Sequence, residues 1–146
     1  GTNPLICEGK LCGNEFSIAG NVSSQFISGL LFAAALIQGE NRITVTGKIE
    51  SKPYIEMTLR TMADFGCSCE QFIIKGGLPY HSPGKIHVEG DWSNGAFFIA
   101  AAALGNEVSI HGLDRQSAQG DRAVCPLVDA LSQYTTIFGE DIPDYV

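Results

Sequence analysis

Two stretches of the chain repeat the same order of features, and this repetition constrains the fold more than any other feature. Residues 20–47 read GNVSSQFISGLLFAAALIQGENRITVTG, and residues 90–112 read GDWSNGAFFIAAAALGNEVSIHG. Each stretch passes from a Gly and small polar residues into an Ala-rich helix, then through a tight turn into an alternating strand. The strands are predicted at residues 42–46 and 107–111. A repeat of about 65 to 70 residues has the size of one supersecondary unit.

A second helix is predicted after the first strand, in SKPYIEMTLRTMADFG at residues 51–66. Ile55, Leu59 and Met62 fall on one helical face. Ser51 is a candidate N-cap, and Gly66 is placed to end the helix. NEFSIAG precedes the first helix, while QFIIK and KIHVE follow the second, and each is predicted as a strand. The order βαβαββ predicts an α+β fold with helices packed on one face of a mixed four-stranded sheet.

The second copy is less regular. The helix predicted after Gly112 contains Pro126, so this helix either starts at the proline or is kinked there. The final residues, GEDIPDYV, resemble the beginning of a third unit. These features predict two parts, residues 1–89 and a truncated second unit at 90–146, and indicate a piece of a longer protein.

Composition narrows the class of partner and compartment. The chain has 146 residues and a formal net charge of −7, which argues against nucleic acid or an anionic membrane as a partner. Five cysteines and no visible signal peptide predict free thiols in a cytoplasmic protein. Cys67 and Cys69 resemble half a metal site, but no second pair with suitable spacing exists, so no metal is expected.

The helix entrances carry the residues that could perform chemistry. Ser23, Ser24 and Gln25 open the first helix, and Ser51 with Lys52 opens the second. Helix N-termini present unpaired N–H groups and a positive dipole end, and these residues would add donors for a phosphate or carboxylate. The alternative is that Ser23 and Ser51 only cap their helices.

Two aspartates stand at the other helix entrances. Asp91 is predicted to cap the helix of the second repeat. Asp144 follows a proline near the end of the chain and could be a cap or a general base.

Four segments of the chain, taken together, resemble one enzyme family. They are GNVSSQFISGLLFAAAL, SKPYIEMTL, VEGDWSNGAFFIAAAAL and QGDRAV, and in this order they are similar to EPSP synthases, the 3-phosphoshikimate 1-carboxyvinyltransferases. The resemblance extends from about residue 12 onward. It implies βαβαββ units of the enolpyruvyl transferase fold, here incomplete. It also implies transfer of the enolpyruvyl group of phosphoenolpyruvate to the 5-hydroxyl of shikimate 3-phosphate, in the pathway to chorismate and the aromatic amino acids.

The resemblance also implies roles for individual residues. Ser23, Ser24 and Ser51 would hold the phosphate of shikimate 3-phosphate, and Gln25 would lie between the two substrates. Tyr54 would line the shikimate pocket. Asp144 would bind the shikimate hydroxyls and act as the catalytic base. The family uses no metal or organic cofactor.

The chain departs from the family where the family binds phosphate most strongly. The lysine and arginines of the family's first segment and its later phosphoenolpyruvate-binding cations are absent. The isolated chain is therefore expected to be inactive, and its uncovered apolar faces and strand edges are expected to make it self-associate. Two alternatives remain: a fragment resembling UDP-N-acetylglucosamine enolpyruvyl transferase, and a non-catalytic binding or assembly module.

Overall fold

The chain forms two compact units. In the computed structural model, residues 4, 6–77 and 79–130 are described. The first unit comprises Gly1–Glu50 and Thr58–His81, and the second comprises Ser51–Met57 and Ser82–Val146. The predicted division between residues 89 and 90 stays a prediction.

The first six elements along the chain follow the predicted βαβαββ order. They are β1 (Glu15–Ala19), α1 (Ser24–Ala34), β2 (Gly39–Thr46), α2 (Lys52–Asp64), β3 (Cys69–Glu70) and β4 (Ile73–Gly76), and the four strands form one sheet. The strand order is β1-β2-β4-β3. β1 pairs with β2 in parallel, and the other two pairings are antiparallel. The predicted mixed sheet is therefore confirmed.

Helix α1 forms because its apolar side chains recur at helical spacing behind a serine cap. Ser23 has the extended backbone of an N-cap, with φ −165° and ψ 137°, and its side chain accepts a hydrogen bond from the backbone N–H of Gln25. Ile27, Leu31 and Ala34 are fully buried and share one face. This face anchors the helix in the core of the first unit.

A buried amide ties α1 to the sheet. Asn41, in β2, is fully buried, and its Nδ2 donates to the carbonyl oxygens of Ala34 at 3.0 Å and Ile37 at 2.8 Å. These carbonyls lie where α1 ends, so a strand residue satisfies groups that the helix leaves unpaired. β4 passes close by, since a Cβ at Gly76 would lie 2.1 Å from the Ile37 carbonyl oxygen. Only glycine fits there.

Helix α2 ends as its sequence predicts. Gly66 has φ 81°. Its N–H donates to the Ala63 carbonyl at 2.9 Å, and the N–H of Cys67 donates to the Met62 carbonyl at 2.8 Å. This pair of bonds is a Schellman motif, which only a residue in the left-handed conformation can close without strain.

Two predicted strands are wrong. KIHVE, residues 85–89, is not a strand in the structure, and the third strand of the sheet comes instead from Cys69–Glu70. A two-residue turn, Gln71 and Phe72, joins it to β4, and both residues have positive φ, as a type I′ hairpin requires. Residues 107–111 are also outside any strand. Their alternating pattern suits a strand, but within the described residues no partner strand lies beside them.

The regular structure in the described residues of the second unit is helical. Its elements include α3 (Trp92–Ala103), a 3₁₀ turn (Gly120–Val124) and α4 (Cys125–Ala130). Trp92, Ile99 and Cys125 form its buried cluster. Pro126 is the second residue of α4, so it lies in the first turn and the helix is not kinked by it.

Some predictions fall outside the part of the chain that the structure describes. Asp144 and the segment GEDIPDYV are among the residues not described. Within residues 4, 6–77 and 79–130, no helix is long and apolar enough to cross a bilayer. The same residues contain no group of three or more His, Cys, Asp or Glu side chains that could hold a metal ion. All five cysteines are free thiols.

Candidate functional site

The three polar residues predicted at the mouth of α1 differ in exposure. Ser23 is half-buried, Ser24 retains only 8% of its surface, and Gln25 is exposed. The Ser23 hydroxyl accepts from the N–H of Gln25 at 3.2 Å, so the cap predicted as the alternative reading is present. A hydroxyl that accepts one bond can still donate its own proton, so capping and anion binding are compatible.

Comparison with α3 shows what is unusual about Ser24. The N-cap is Ser23 in α1 and Asp91 in α3. Counted from its N-cap, each helix has buried residues at its first, fourth and eighth positions. The first of these positions is Trp92 in α3, fully buried in the core, and Ser24 in α1. A serine at a position that can hold a core side chain contributes little packing, which favours a role for its hydroxyl.

Ser51 and Tyr54 lie in the second unit, at the start of α2. The N–H of Tyr54 donates to the Ser51 carbonyl at 3.1 Å. Ser51 has φ 53°, in the left-handed region, and so departs from the extended backbone predicted for an N-cap. Non-glycine residues rarely adopt this conformation, and those that do are frequent at functional sites.

Lys52, the positive charge predicted beside Ser51, already forms an ion pair within its own helix. Lys52 Nζ lies 3.4 Å from Glu56 Oε1, one turn further along α2, and both side chains are largely exposed. Exposed pairs of this kind contribute about 0.3–0.5 kcal/mol. An incoming anion could therefore displace Glu56 at small cost.

A cluster around Tyr54 was missed by sequence reasoning. Asp121 Oδ2 accepts hydrogen bonds from the Tyr54 hydroxyl at 2.7 Å and from the Ser93 hydroxyl at 2.8 Å. The bond to Asp121 raises the pKa of Tyr54, and the two donated bonds lower the pKa of Asp121. The motif QGDR contains Asp121, but nothing in its spacing indicated a tyrosine 67 residues away.

The loop that carries Asp121 is fixed to the start of α3 by one glutamine. Gln119 Oε1 accepts from the N–H of Trp92 at 2.9 Å, and Gln119 Nε2 donates to the Gly90 carbonyl at 2.9 Å. Behind it, the Ser117 hydroxyl donates to Glu89 at 2.8 Å. Asp121 is thus held by contacts that do not depend on Tyr54.

The predicted site residues fall into two groups. Ser23, Ser24 and Gln25 are consecutive in the first unit, and Ser51 and Tyr54 form one turn in the second. An apolar cavity of about 230 Å³ in the first unit, lined by Phe32, Thr61, Met62, Phe65 and Tyr80, contains none of them.

The βαβαββ order and the mixed four-stranded sheet are consistent with an α+β unit of the enolpyruvyl transferase class. Comparison with known proteins gives the family. Residues 1–136 match the profile of the EPSP synthase (3-phosphoshikimate 1-carboxyvinyltransferase) family, to which this chain therefore belongs.

Curated relatives agree with this assignment. The 3-phosphoshikimate 1-carboxyvinyltransferase of Salmonella schwarzengrund is 40% identical over 144 residues, which cover 94% of this chain and 34% of the relative. The enzymes of the same name from Clostridium beijerinckii and Clostridioides difficile are 44% and 42% identical over 132 residues, 87% of this chain and 30% of each relative. The chain thus spans about a third of the length of these relatives.

Proposed function

We propose that the chain supplies part of the shikimate 3-phosphate site of a 3-phosphoshikimate 1-carboxyvinyltransferase. In the reaction, the 5-hydroxyl of shikimate 3-phosphate gives its proton to a base as its oxygen adds to the enol carbon of phosphoenolpyruvate, while the methylene carbon gains a proton. Loss of a proton from that carbon and departure of phosphate then give the enolpyruvyl ether. Because the chain spans 30–34% of its relatives, this activity is proposed for the longer protein.

The observation that carries the proposal is the serine at the first buried position of α1. Ser24 is 8% exposed and follows a cap whose hydroxyl can still donate. Donors held on the first turn of a packed helix need little reorganisation when an anion arrives. The dipole of an eleven-residue helix adds to this attraction.

The proposed roles follow the family resemblance. Ser23, Ser24 and Ser51 bind the substrate phosphate, and Gln25 contacts both substrates. Tyr54 lines the shikimate pocket. Asp144 is proposed as the catalytic base. No metal or organic cofactor takes part, and the compartment is the cytoplasm.

Titration of the 146-residue chain with shikimate 3-phosphate tests the binding role. Amide resonances of Ser23, Ser24 and Ser51 should shift, and Ser24→Ala should weaken binding about fivefold, the effect of losing a hydrogen bond worth about 1 kcal/mol. Ser68→Ala, an exposed serine of the first unit, is the matched control and should bind normally. Equal binding by wild type and Ser24→Ala would refute the role of Ser24.

Two further measurements separate the alternatives. UDP-N-acetylglucosamine should cause no shift at these amides, whereas a fragment of that sugar-nucleotide enzyme would respond to it. No response to either ligand would favour a non-catalytic module. Phosphate release from shikimate 3-phosphate and phosphoenolpyruvate should be undetectable with this chain alone, and robust turnover would show that the missing cations are unnecessary.

Self-association is also proposed for the isolated chain. Exposed apolar side chains lie on both Ala-rich helices, with Phe26 58% exposed on α1 and Phe97 76% exposed on α3. Apolar surface of this kind favours association. Light scattering should show dimers or larger species, and a monomer at all concentrations would contradict the proposal.

A further inference from the structure

We propose that Asp121 is a positioning residue for the hydroxyl of Ser51, because it anchors the turn of chain from Ser51 to Tyr54 that opens α2. The anchor joins this turn to the 3₁₀ turn and to the start of α3, and all of its contacts lie within the second unit. The inference rests on the proposed function, in which Ser51 binds the phosphate of shikimate 3-phosphate. It adds a residue outside the set predicted from the sequence.

The backbone of Ser51 needs support from its surroundings. Ser51 has φ 53°, in the left-handed region, and its side chain is exposed, so an anion can reach the hydroxyl. A non-glycine residue keeps this conformation only where neighbouring contacts fix it. Within the turn, the N–H of Tyr54 donates to the Ser51 carbonyl at 3.1 Å. Because helix ends fray, this bond needs support from contacts outside the turn.

The first outside contact is made by the side chain of Tyr54. Its hydroxyl donates to Asp121 Oδ2 at 2.7 Å, and the Ser93 hydroxyl donates to the same oxygen at 2.8 Å. Ser93 also interacts with the Tyr54 hydroxyl, so the three side chains form one closed cluster. The Tyr54 hydroxyl thus bonds to other protein groups, and its role in this inference is to hold the turn in place.

The second outside contact is made by the backbone. A Cβ at Gly120 would lie 3.4 Å from Cγ and 3.5 Å from Cβ of Pro53, which is ordinary van der Waals contact. The residue before Asp121 therefore packs against the residue before Tyr54. Two adjacent contacts restrain both the position and the rotation of the turn, and the position of Ser51 follows from them.

Asp121 can anchor the turn because other residues hold Asp121. Gln119 accepts from the N–H of Trp92 at 2.9 Å and donates to the Gly90 carbonyl at 2.9 Å, which fixes the chain just before Asp121. Trp92 is fully buried in the core of the second unit. Ser93 is held in turn by Asp91, which accepts from the Ser93 N–H at 2.8 Å. The support of Asp121 does not depend on α2.

The charge of Asp121 gives the inference a distinctive sign. An ionised carboxylate repels a phosphate dianion. If Asp121 contributed only its charge, removing the carboxylate would strengthen the binding of a phosphorylated substrate. Positioning of Ser51 predicts the opposite, because the phosphate would lose a well-placed donor.

Titration of the 146-residue chain with shikimate 3-phosphate tests this sign. Asp121→Ala should weaken binding about threefold to tenfold, the range for one misplaced hydrogen bond. Asp121→Asn keeps an acceptor for Tyr54 and should recover part of the loss. Asp64→Ala removes an exposed carboxylate at the other end of α2 and is the matched control, which should not weaken binding. In a Ser51→Ala background, Asp121→Ala should have no further effect.

Hydrogen exchange in the ligand-free chain measures the anchor directly. The amide of Tyr54, which bonds to Ser51, should exchange severalfold faster in Asp121→Ala and at the wild-type rate in Asp64→Ala. Trp92 is the single tryptophan and is fully buried, so unchanged emission shows that the second unit is folded. Should Asp121→Ala alter this emission, Tyr54→Phe removes only the hydroxyl and should give the same changes in exchange and binding.

The outcomes separate this inference from the proposed function. Unchanged or tighter binding by folded Asp121→Ala, with normal binding by wild type, overturns the positioning role and leaves the proposed function intact. A loss that persists in the Ser51→Ala background also overturns that role. Unchanged exchange at Tyr54 in the folded variants overturns the anchor itself. Absence of shikimate 3-phosphate binding by wild type overturns the proposed function, and the role of Asp121 in binding with it.

Discussion

The two Ala-rich helices follow the same local rules and end in different structures. Each has an extended N-cap whose side chain accepts from the N–H two residues later, Ser23 for α1 and Asp91 for α3. After each helix, an asparagine side chain donates to a helix carbonyl, from Asn41 to Ala34 and from Asn106 to Ala101. These local features recur because each depends only on residues nearby in sequence.

The strands that follow do not recur, because a strand depends on distant partners. β2 pairs with β1 on one side and β4 on the other. In the second copy the N–H of Gly90 donates to the Gly112 carbonyl at 2.7 Å, just as Gly20 donates to Thr46 at 2.8 Å. The pairing goes no further within the described residues. Local signals thus specify helices and caps, whereas a strand forms only where partner strands lie beside it.

The largest expected difference concerns the first buried position after each cap. Trp92→Ala should destabilise the second unit by about 3–5 kcal/mol, since it removes a fully buried indole whose N–H donates to the Asp114 carbonyl at 2.8 Å. Ser24→Ala should cost at most about 1 kcal/mol, because alanine favours the helix and only one hydroxyl is lost.

Amide hydrogen exchange at Ile99 and Leu31 measures the two effects separately, since each residue lies in the buried face of its own helix. A Ser24→Ala loss comparable to that of Trp92→Ala would show that Ser24 is a core residue. The functional interpretation of the serine would then lose its main support.

The fold was largely predictable from local patterns. Periodicity predicted both Ala-rich helices and α2, and glycine placement predicted the end of α2. The order of elements along the chain was also predicted, and QFIIK overlaps β4, but KIHVE was predicted as a strand where the sheet instead uses Cys69–Glu70. KIHVE has better alternation than CSCE, yet CSCE is two residues from β4 and can pair through a tight turn. Proximity along the chain outweighed the better pattern.

The second comparison concerns the asparagines that follow the two helices. Asn41 is fully buried, donates to Ala34 and Ile37, and accepts from Asn14 Nδ2 at 3.0 Å. Asn41→Ala should therefore cost about 2–4 kcal/mol, because buried carbonyls lose their donor. Asn106 is exposed and makes one such bond, to Ala101 at 2.8 Å.

Asn106→Ala should accordingly cost less than about 1 kcal/mol. Exchange rates at Ile43, beside Asn41 in β2, and at Ala101 in α3 provide the readouts. Similar losses in the two variants would contradict the argument that the sheet makes the first amide indispensable.

Helix caps should give smaller and more nearly equal effects. Ser23→Ala and Asp91→Ala each remove the acceptor for one backbone N–H and should cost about 1 kcal/mol. Asp91→Ala should be the larger, since Asp91 also accepts from Asn94 Nδ2. Helical circular dichroism during urea unfolding measures both, and Ser23→Asp should restore the cap of α1. Failure of that rescue would mean that Ser23 does more than cap the helix.

The site was less predictable than the fold, for a physical reason. Ser23, Ser24 and Gln25 are adjacent in sequence, so a helix-start argument finds them together. Tyr54 and Asp121 are far apart, and only the folded second unit brings them to 2.7 Å. A hydrogen bond between distant residues leaves no periodic signal. The family resemblance supplied Tyr54, whereas Asp121 emerged only from the coordinates.

The smallest expected effect is a difference in acid sensitivity between the two units. Among the described residues of the first unit, the side chains with a shifted pKa are Cys67, Cys69 and Tyr80. Burial raises the pKa of each, so none of these three titrates between pH 3 and 6.

In the second unit the bonds from Tyr54 and Ser93 lower the pKa of Asp121. A lowered pKa in the folded state stabilises above the unfolded value of about 3.9, and this contribution is lost as pH falls through the folded pKa. The protection factors of amides near Asp121, measured against the intrinsic exchange rate at each pH, should therefore fall on acidification more in wild type than in Asp121→Asn, and by a small factor because the carboxylate is exposed. An equal fall in both proteins would show that the bonds to Tyr54 and Ser93 do not persist in solution.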